Sequence, residues 1–347
     1  MTTTALDKRK AFILQTVVYE YINTAEPVGS MTLTQKYNLG VSSATIRNEM
    51  AELEASGYLV QPHTSSGRVP SDAGYRTYVD ELMSPETLRP EETQRIREEF
   101  RAASRHLDDV IDQTTRLLGQ LSRSLAFVIA PARSTQTFRH IQLIWFSERT
   151  GLAVVVTSLG TPTQTLFELK SDVSADDLTR LSNLLNARLG GRLLAEIAST
   201  EVSSAVKELG LAADMADAVQ HAFTEAADPS DPLIAASGAQ NLLDQPEFHD
   251  LRKLRSILRI VEEQKRLYEL VAEGGTQEGT VVRIGHELGT DEISECSLVT
   301  VPYRNGEHAV GLLAILGPRR MPYGRLMALA GSTADSLGAH LLDVELR

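Results

Sequence analysis

Apolar residues return at helical spacing between about residues 7 and 23, with Phe12, Ile13, Val17 and Tyr21 among them. The pattern stops at Ala25-Glu26-Pro27-Val28-Gly29. Ser30 is the expected cap of a short second helix over 31–37, which ends at Asn38-Leu39-Gly40, where glycine suits the left-handed backbone of a tight turn. A third helix follows at once, with Ser42 or Ser43 as N-cap. Its Ile46, Met50 and Leu53 lie within about 60° of one another at about 100° per residue and predict a buried stripe. Ala44, Arg47, Asn48 and Ala51 are left on the opposite face. Gly57 closes this helix. Residues 58–62 and 68–70 then flank the polar tip His63-Thr64-Ser65-Ser66-Gly67 as a hairpin, and 72–83 reads as a further helix carrying Tyr75, Tyr78, Val79 and Leu82.

The pattern changes at residue 84. Ser84-Pro85 and Arg89-Pro90 mark a linker, after which 91–122 reads as one long helix. Runs rich in β-branched and aromatic residues predict strands at 125–130, 140–146, 152–158 and 165–169, then at 280–284, 298–303 and 309–316. Residues 247–272 and about 323–346 read as helices. Two blocks of strands with helices around them predict one α+β domain with an antiparallel sheet, interrupted by an insertion. The insertion, roughly 173–230, reads as all helix. Ser174 and Asp177 form a capping box, Leu178, Leu181, Leu184, Leu185 and Leu189 form an apolar face, and Gly190-Gly191 ends the helix. The expected division is a head at 1–83, a linker and connecting helix at 84–122, a body at 123–172 and 231–347, and the insertion at 173–230.

Two short helices joined by a glycine-containing turn, the second exposing small and hydrogen-bonding residues, make a helix-turn-helix. Ala44 and Ala51 allow close approach to a groove, Arg47 suits guanine or phosphate, and Asn48 suits adenine. Ser42, Ser43 and Thr45, with the free N–H groups of the helix start, suit phosphates. The helix alone is equally compatible with an ordinary three-helix core piece. The hairpin beside it tips the balance, because a ribbon carrying His63, Thr64, Ser65, Ser66 and Arg68 is a wing able to touch phosphate or a minor groove. Lys10, before the first helix, is placed to grip the backbone of the duplex.

Charge qualifies this picture. The chain has 34 Lys and Arg against 46 Asp and Glu, a net charge of -12, and residues 1–83 alone are slightly acidic. A protein that coats DNA without selectivity is usually basic, so contact with DNA here must be local and geometric. The insertion is acidic too, with nine acidic against four basic residues, and cannot face DNA. At about 58 residues it is marginal for a core of its own and gains most by packing on a partner, or alternatively on its own body.

The runs Glu26-Pro27-Val28-Gly29-Ser30, Ser42 to Ala51 and Pro62 to Pro70 resemble those of the heat-inducible transcription repressors called HrcA. The likeness resumes at Gln245-Pro246-Glu247-Phe248, at Cys296 to Thr300 and at Gly317 to Tyr323. The family usually has Lys where Met31 stands, and Ala and Ile are commoner at Ser66 and Val69. The resemblance implies a winged helix-turn-helix head, a GAF-like body and an inserted helical dimerisation domain. It further implies a homodimer that represses chaperonin and DnaK-type chaperone operons from an inverted-repeat operator in double-stranded DNA, with the chaperonin GroEL as modulator and loss of activity on heat stress.

Other readings are narrowed by composition. No run approaches the 18 apolar residues of a membrane span and the start lacks a signal-peptide core, so no membrane partner and a cytoplasmic location are expected. The single cysteine, Cys296, excludes an intramolecular disulfide and a cysteine-rich metal cluster. Cys296 with His286 or His308 would be a nucleophile–base pair on paper, but no cysteine-enzyme motif flanks it, and a buried strand cysteine is expected. No catalysis and no cofactor are expected. The remaining alternative is a winged-helix regulator whose GAF-like pocket senses a small metabolite.

Overall fold

A computed structural model describes residues 6–37, 40–63, 66–104, 107–130, 136–158, 162–227, 234–273, 279–305 and 308–345. In the head, α1 (Lys8–Thr24) starts at Asp7, whose carboxylate accepts from the N–H groups of Arg9 and Lys10. Next come α2 (Ser30–Lys36) and α3 (Ser43–Ala55), with Gly40 at φ +66° between them. The strands β1 (Leu59–Val60) and β2 (Val69–Pro70) pair antiparallel, and α4 (Asp72–Thr77) runs into a π-helical turn at Tyr78–Leu82. Ser42 caps α3 as expected, by accepting from the Thr45 N–H. Ser30 does not cap α2: Gly29 holds the cap position, and the Ser30 hydroxyl lies 3.0 Å from that of Ser43.

The expected helix over 91–122 is two helices, α5 (Pro90–Arg101) and α6 (Leu107–Ser122). The helical pattern of the sequence runs on past Ala102, but Ser104 bonds the Asp109 carboxylate at 2.9 Å, a local bond that competes with helix continuation.

The body is a five-stranded antiparallel sheet. Its strands are β3 (Leu125–Ile129), β7 (Ile234–Ser237), β8 (Val281–Ile284), β9 (Cys296–Asn305) and β10 (His308–Pro318), in the order β7-β3-β10-β9-β8. The interior strand β3 is buried throughout. Ala126 and Val128 face a core shared with α6 and with α12 (Tyr323–Glu345), while Leu125, Phe127 and Ile129 face α10 (Leu251–Glu262) and α11 (Gln264–Ala272). Helices thus cover both faces, the layering expected of a GAF-like body. The first core does not stop at the body: Ile13, Ile46, Met50 and Tyr75 of the head belong to it as well.

The insertion needs correcting. The strands β4 (Phe138–Ser147), β5 (Thr150–Thr157) and β6 (Pro162–Glu168) do not join the body sheet but make a separate three-stranded sheet. The helices α7 (Ala175–Leu189), α8 (Ser199–Glu208) and α9 (Ala213–Ala226) pack on it, with Phe138 and Phe223 edge to face at 5.3 Å. The inserted unit therefore begins near 136 instead of 173, and with its own sheet it has a core of its own. Helix α7 also closes one edge of the sheet. Ser182 accepts from the Leu143 N–H, and the Asn186 amide pairs with both backbone groups of Ile141.

Candidate nucleic-acid interface

The third helix is fixed from beneath and open above. Ile46 and Met50 are fully buried and Leu53 nearly so, while Ala44, Arg47, Asn48 and Ala51 are exposed. Arg47 meets no acidic side chain among the described residues, so its guanidinium stands ready for an acceptor. Between the start of α2, the middle of α3 and the wing lies a cleft of about 440 Å³, lined by Ser30, Met31, Arg47, Gln61, Ser66 and Arg68 among others. Ser42, Ser43 and Thr45 sit at the rim formed by the helix start, where unpaired N–H groups favour an anion.

The wing is more tightly engaged than the sequence suggests. The Ser66 hydroxyl donates to the His63 carbonyl at 2.7 Å and accepts from the His63 N–H at 3.0 Å, so it closes the tip. The His63 ring stays exposed; Thr64 and Ser65 lie outside the described residues. Arg68 pairs through its backbone with Val28, and its guanidinium grips Glu54 of α3, with Nε at 2.9 Å and Nη2 at 2.8 Å. Lys10 is similarly occupied, with Glu52 at 2.8 Å and Asp7 at 3.5 Å, and Glu52 holds its ammonium pKa above the usual range. Arg9 bonds Glu49, a carboxylate almost wholly buried in α3.

Sequence reasoning thus anticipates that Arg47 and Asn48 are exposed on α3 and misses the partners of Arg68 and Lys10. Glu49 and Glu52 make α3 acidic on the side toward α1 and Glu54 on the side toward the wing, and Arg9, Lys10 and Arg68 neutralise them. The only trace of this in the sequence is the run of glutamates after Asn48, which does not say which cations will meet it.

Residues 108–327 match the family profile described as HrcA protein C terminal domain. The chain belongs to the HrcA family. The heat-inducible transcription repressor HrcA of Pelotomaculum thermopropionicum is 40% identical over 333 residues, 96% of each chain, and that of Desulforudis audaxviator is 40% identical over 325 residues, 93% of this chain and 94% of the relative. HrcA of Symbiobacterium thermophilum is 36% identical over 333 residues, 96% of this chain and 98% of the relative. A solved structure titled as a hypothetical protein is similar at 27% identity and a TM-score of 0.61, covering 98% of both chains. The HrcA profile starts in α6, so the head lies before it, and the full-length relatives are what tie head and body into one family.

Membership in HrcA separates this chain from enzymes, and the geometry at Cys296 agrees. The thiol is buried at the start of β9, and burial pushes its pKa up to about 12, far from a nucleophile's range. His286 is bonded to Asp72. Among the described residues no helix is long and apolar enough to cross a membrane.

Proposed function

We propose that this chain is a heat-inducible transcription repressor that binds an inverted-repeat operator in double-stranded DNA as a homodimer. It is a transcription regulator and not an enzyme. The observation that carries the DNA reading is the exposed face of α3 beside the wing cleft, with Arg47 unpaired among the described residues and Asn48 exposed, both in the second turn. Asn48 and Arg47 read base edges, and Ser42, Ser43, Thr45 and the start of α3 hold phosphate. His63, with Thr64 and Ser65, extends the contact from the wing.

One winged helix reads few base pairs, and an acidic chain lacks the general attraction to phosphate that would compensate, so two heads are needed. The inserted unit supports the pairing. The face of its sheet turned away from α7 and α9 carries Ile144, Leu152 and Leu166 in one cross-strand row, with Leu166 64% exposed. An apolar row of this kind on an acidic unit fits a second copy better than solvent. Replacing Leu166 with Asp should give monomers in sedimentation; a persistent dimer would move the interface elsewhere.

The family further supports chaperonin and DnaK-type chaperone operons as targets, release on heat stress, the chaperonin GroEL as modulator, and a cytoplasmic location. The metabolite-sensing alternative draws no support from these relatives, which carry heat-inducible repression in their name. A footprint of the purified protein on genomic fragments tests the whole reading. Protection of an inverted repeat upstream of chaperone genes is expected, and protection of no DNA would refute it.

A further inference from the structure

Two runs of the body take no part in the DNA interface: Gln245-Pro246-Glu247-Phe248, and the segment from Gly317 to Tyr323. The fold brings them together against the head. Arg320 donates from Nε to Glu247 Oε1 at 2.5 Å and from Nη2 to Gln245 Oε1 at 3.0 Å, while its Nη1 reaches the carbonyl of Ile22, near the end of α1, at 3.4 Å. Arg319 donates from Nη1 to Asp72 Oδ1 at 2.8 Å and from Nη2 to Glu295 Oε2 at 3.1 Å. Asp72 is the first residue of α4, and its other oxygen accepts from the His286 N–H at 3.1 Å and lies 2.7 Å from the ring Nδ1.

Gly285 shows how closely this contact is built. Its φ is +57°, and a methyl group there would stand 2.2 Å from an Asp72 carboxylate oxygen. Below the charged layer Tyr75 and Tyr323 meet edge to face at 6.1 Å. An apolar seam alone tolerates sliding, whereas directional guanidinium bonds fix an angle: Arg319 holds Asp72, Arg320, forked onto Glu247, reaches the Ile22 carbonyl, and Arg76 of α4 forks onto Glu287 of the body. The clamp holds the head by α4 and the end of α1. The exposed face of α3 with Arg47 and Asn48 takes no part in it, so the clamp decides where the reading face points without touching DNA.

We propose that Arg319 and Arg320 are positioning residues for DNA binding, which fix the head on the body and so set the spacing and angle of the two reading helices. This rests on the reading of the chain as a dimeric repressor. Two half-sites are bound together only when the second head is presented at the right place, and a head fixed to the body is presented at a higher effective concentration than a loose one.

The test uses the full chain with Asp72→Asn and Arg319→Gln, singly and combined, and with Arg320→Lys, which keeps the charge and loses the fork. The probe is the shortest genomic fragment that the unaltered protein protects, used whole and cut at its centre to leave one half. Each variant should bind the whole fragment about tenfold or more weakly and the half fragment within about twofold of the unaltered protein. The combined Asp72 and Arg319 variant should lose less than the two single losses added together, because both remove the bond between Asp72 and Arg319 while each also loses a contact of its own, to His286 or to Glu295. Helix content by circular dichroism identifies any variant that fails to fold, in which case Arg320→Lys decides. Equal losses on both fragments, or no loss on the whole one, overturn the clamp. If the unaltered protein itself binds whole and half fragments equally well, the dimer reading has failed and the clamp falls with it.

Discussion

Glu54→Gln separates two jobs open to Arg68. In the structure the Arg68 fork ties the wing to the last turn of α3, and the two side chains are 14% and 33% exposed. Exposed ion pairs contribute roughly 0–1 kcal/mol, and breaking a fully buried one costs roughly 3–5 kcal/mol. This pair lies between those limits, so the loss should be about 1–2 kcal/mol in holding the wing, a factor of about 5–30 in the population of the ordered wing. If Arg68 orients the wing, Glu54→Gln should weaken operator binding by up to that factor. If Arg68 serves phosphate, Glu54 is its competitor and neutralising it should tighten binding. Removing a negative charge near DNA also favours binding in general, which makes a net loss the more demanding outcome. Fluorescence-anisotropy titrations across a salt series distinguish the cases. The expected result is weaker binding with a salt slope changed by less than about half a unit, and recovery of most affinity in the exchanged pair Arg68→Glu with Glu54→Arg. Tighter binding by Glu54→Gln, or a slope reduced by about one unit in Arg68→Ala, would refute the orienting role.

Three further outcomes follow from the same structure. Replacing Asn48 or Arg47 with Ala should cost roughly 1–3 kcal/mol on the operator and little on scrambled DNA, and equal losses on both would mean that α3 does not read bases. Among the described residues the buried Tyr75 hydroxyl has no hydrogen-bond partner, so Tyr75→Phe should stabilise the protein by about 1 kcal/mol and raise the melting temperature; a lower one would reveal a bond that the hydroxyl makes. Glu20 is held below its usual pKa by hydrogen bonds from Lys36 and Tyr37, and Asp72, against the opposing effect of its burial, by Arg319 and His286. Both therefore stabilise the fold above their unfolded values of 4.5 and 3.8, and that contribution disappears as pH falls through the lower folded values. Melting temperature should drop below about pH 4, and less steeply in Glu20→Gln.

The head was legible because its signals are local. The Ser42 cap, the turn at Gly40, the stop at Gly57 and the spacing of Ile46, Met50 and Leu53 all act within one or two helical turns. The insertion was only half legible for the opposite reason. The runs that became β4, β5 and β6 read correctly as strands, but which sheet a strand joins depends on partners far along the chain, and alternation alone does not name them. The same holds for the clamp. Asp72 looks like an ordinary first-turn acid until the fold brings Arg319 to it across 247 positions. Arg68 and Lys10 read as phosphate ligands because a cation on a hairpin or helix start beside a reading helix is placed for one, and no local signal names Glu54 and Glu52 as their partners.

The core that passes from Ile13 and Tyr75 into Tyr323 and Leu326 makes the head a poor candidate for transplantation. A fragment cut at the linker would present the Tyr75 ring, the Asp72 carboxylate and the end of α1 to water, stripped of the surface that covers them. A chimera carrying this head on another regulator would inherit those raw surfaces along with the reading helix. Exchange of specificity within the family is therefore best done on α3 and the wing tip alone, leaving the underside of the head in the company of its own body.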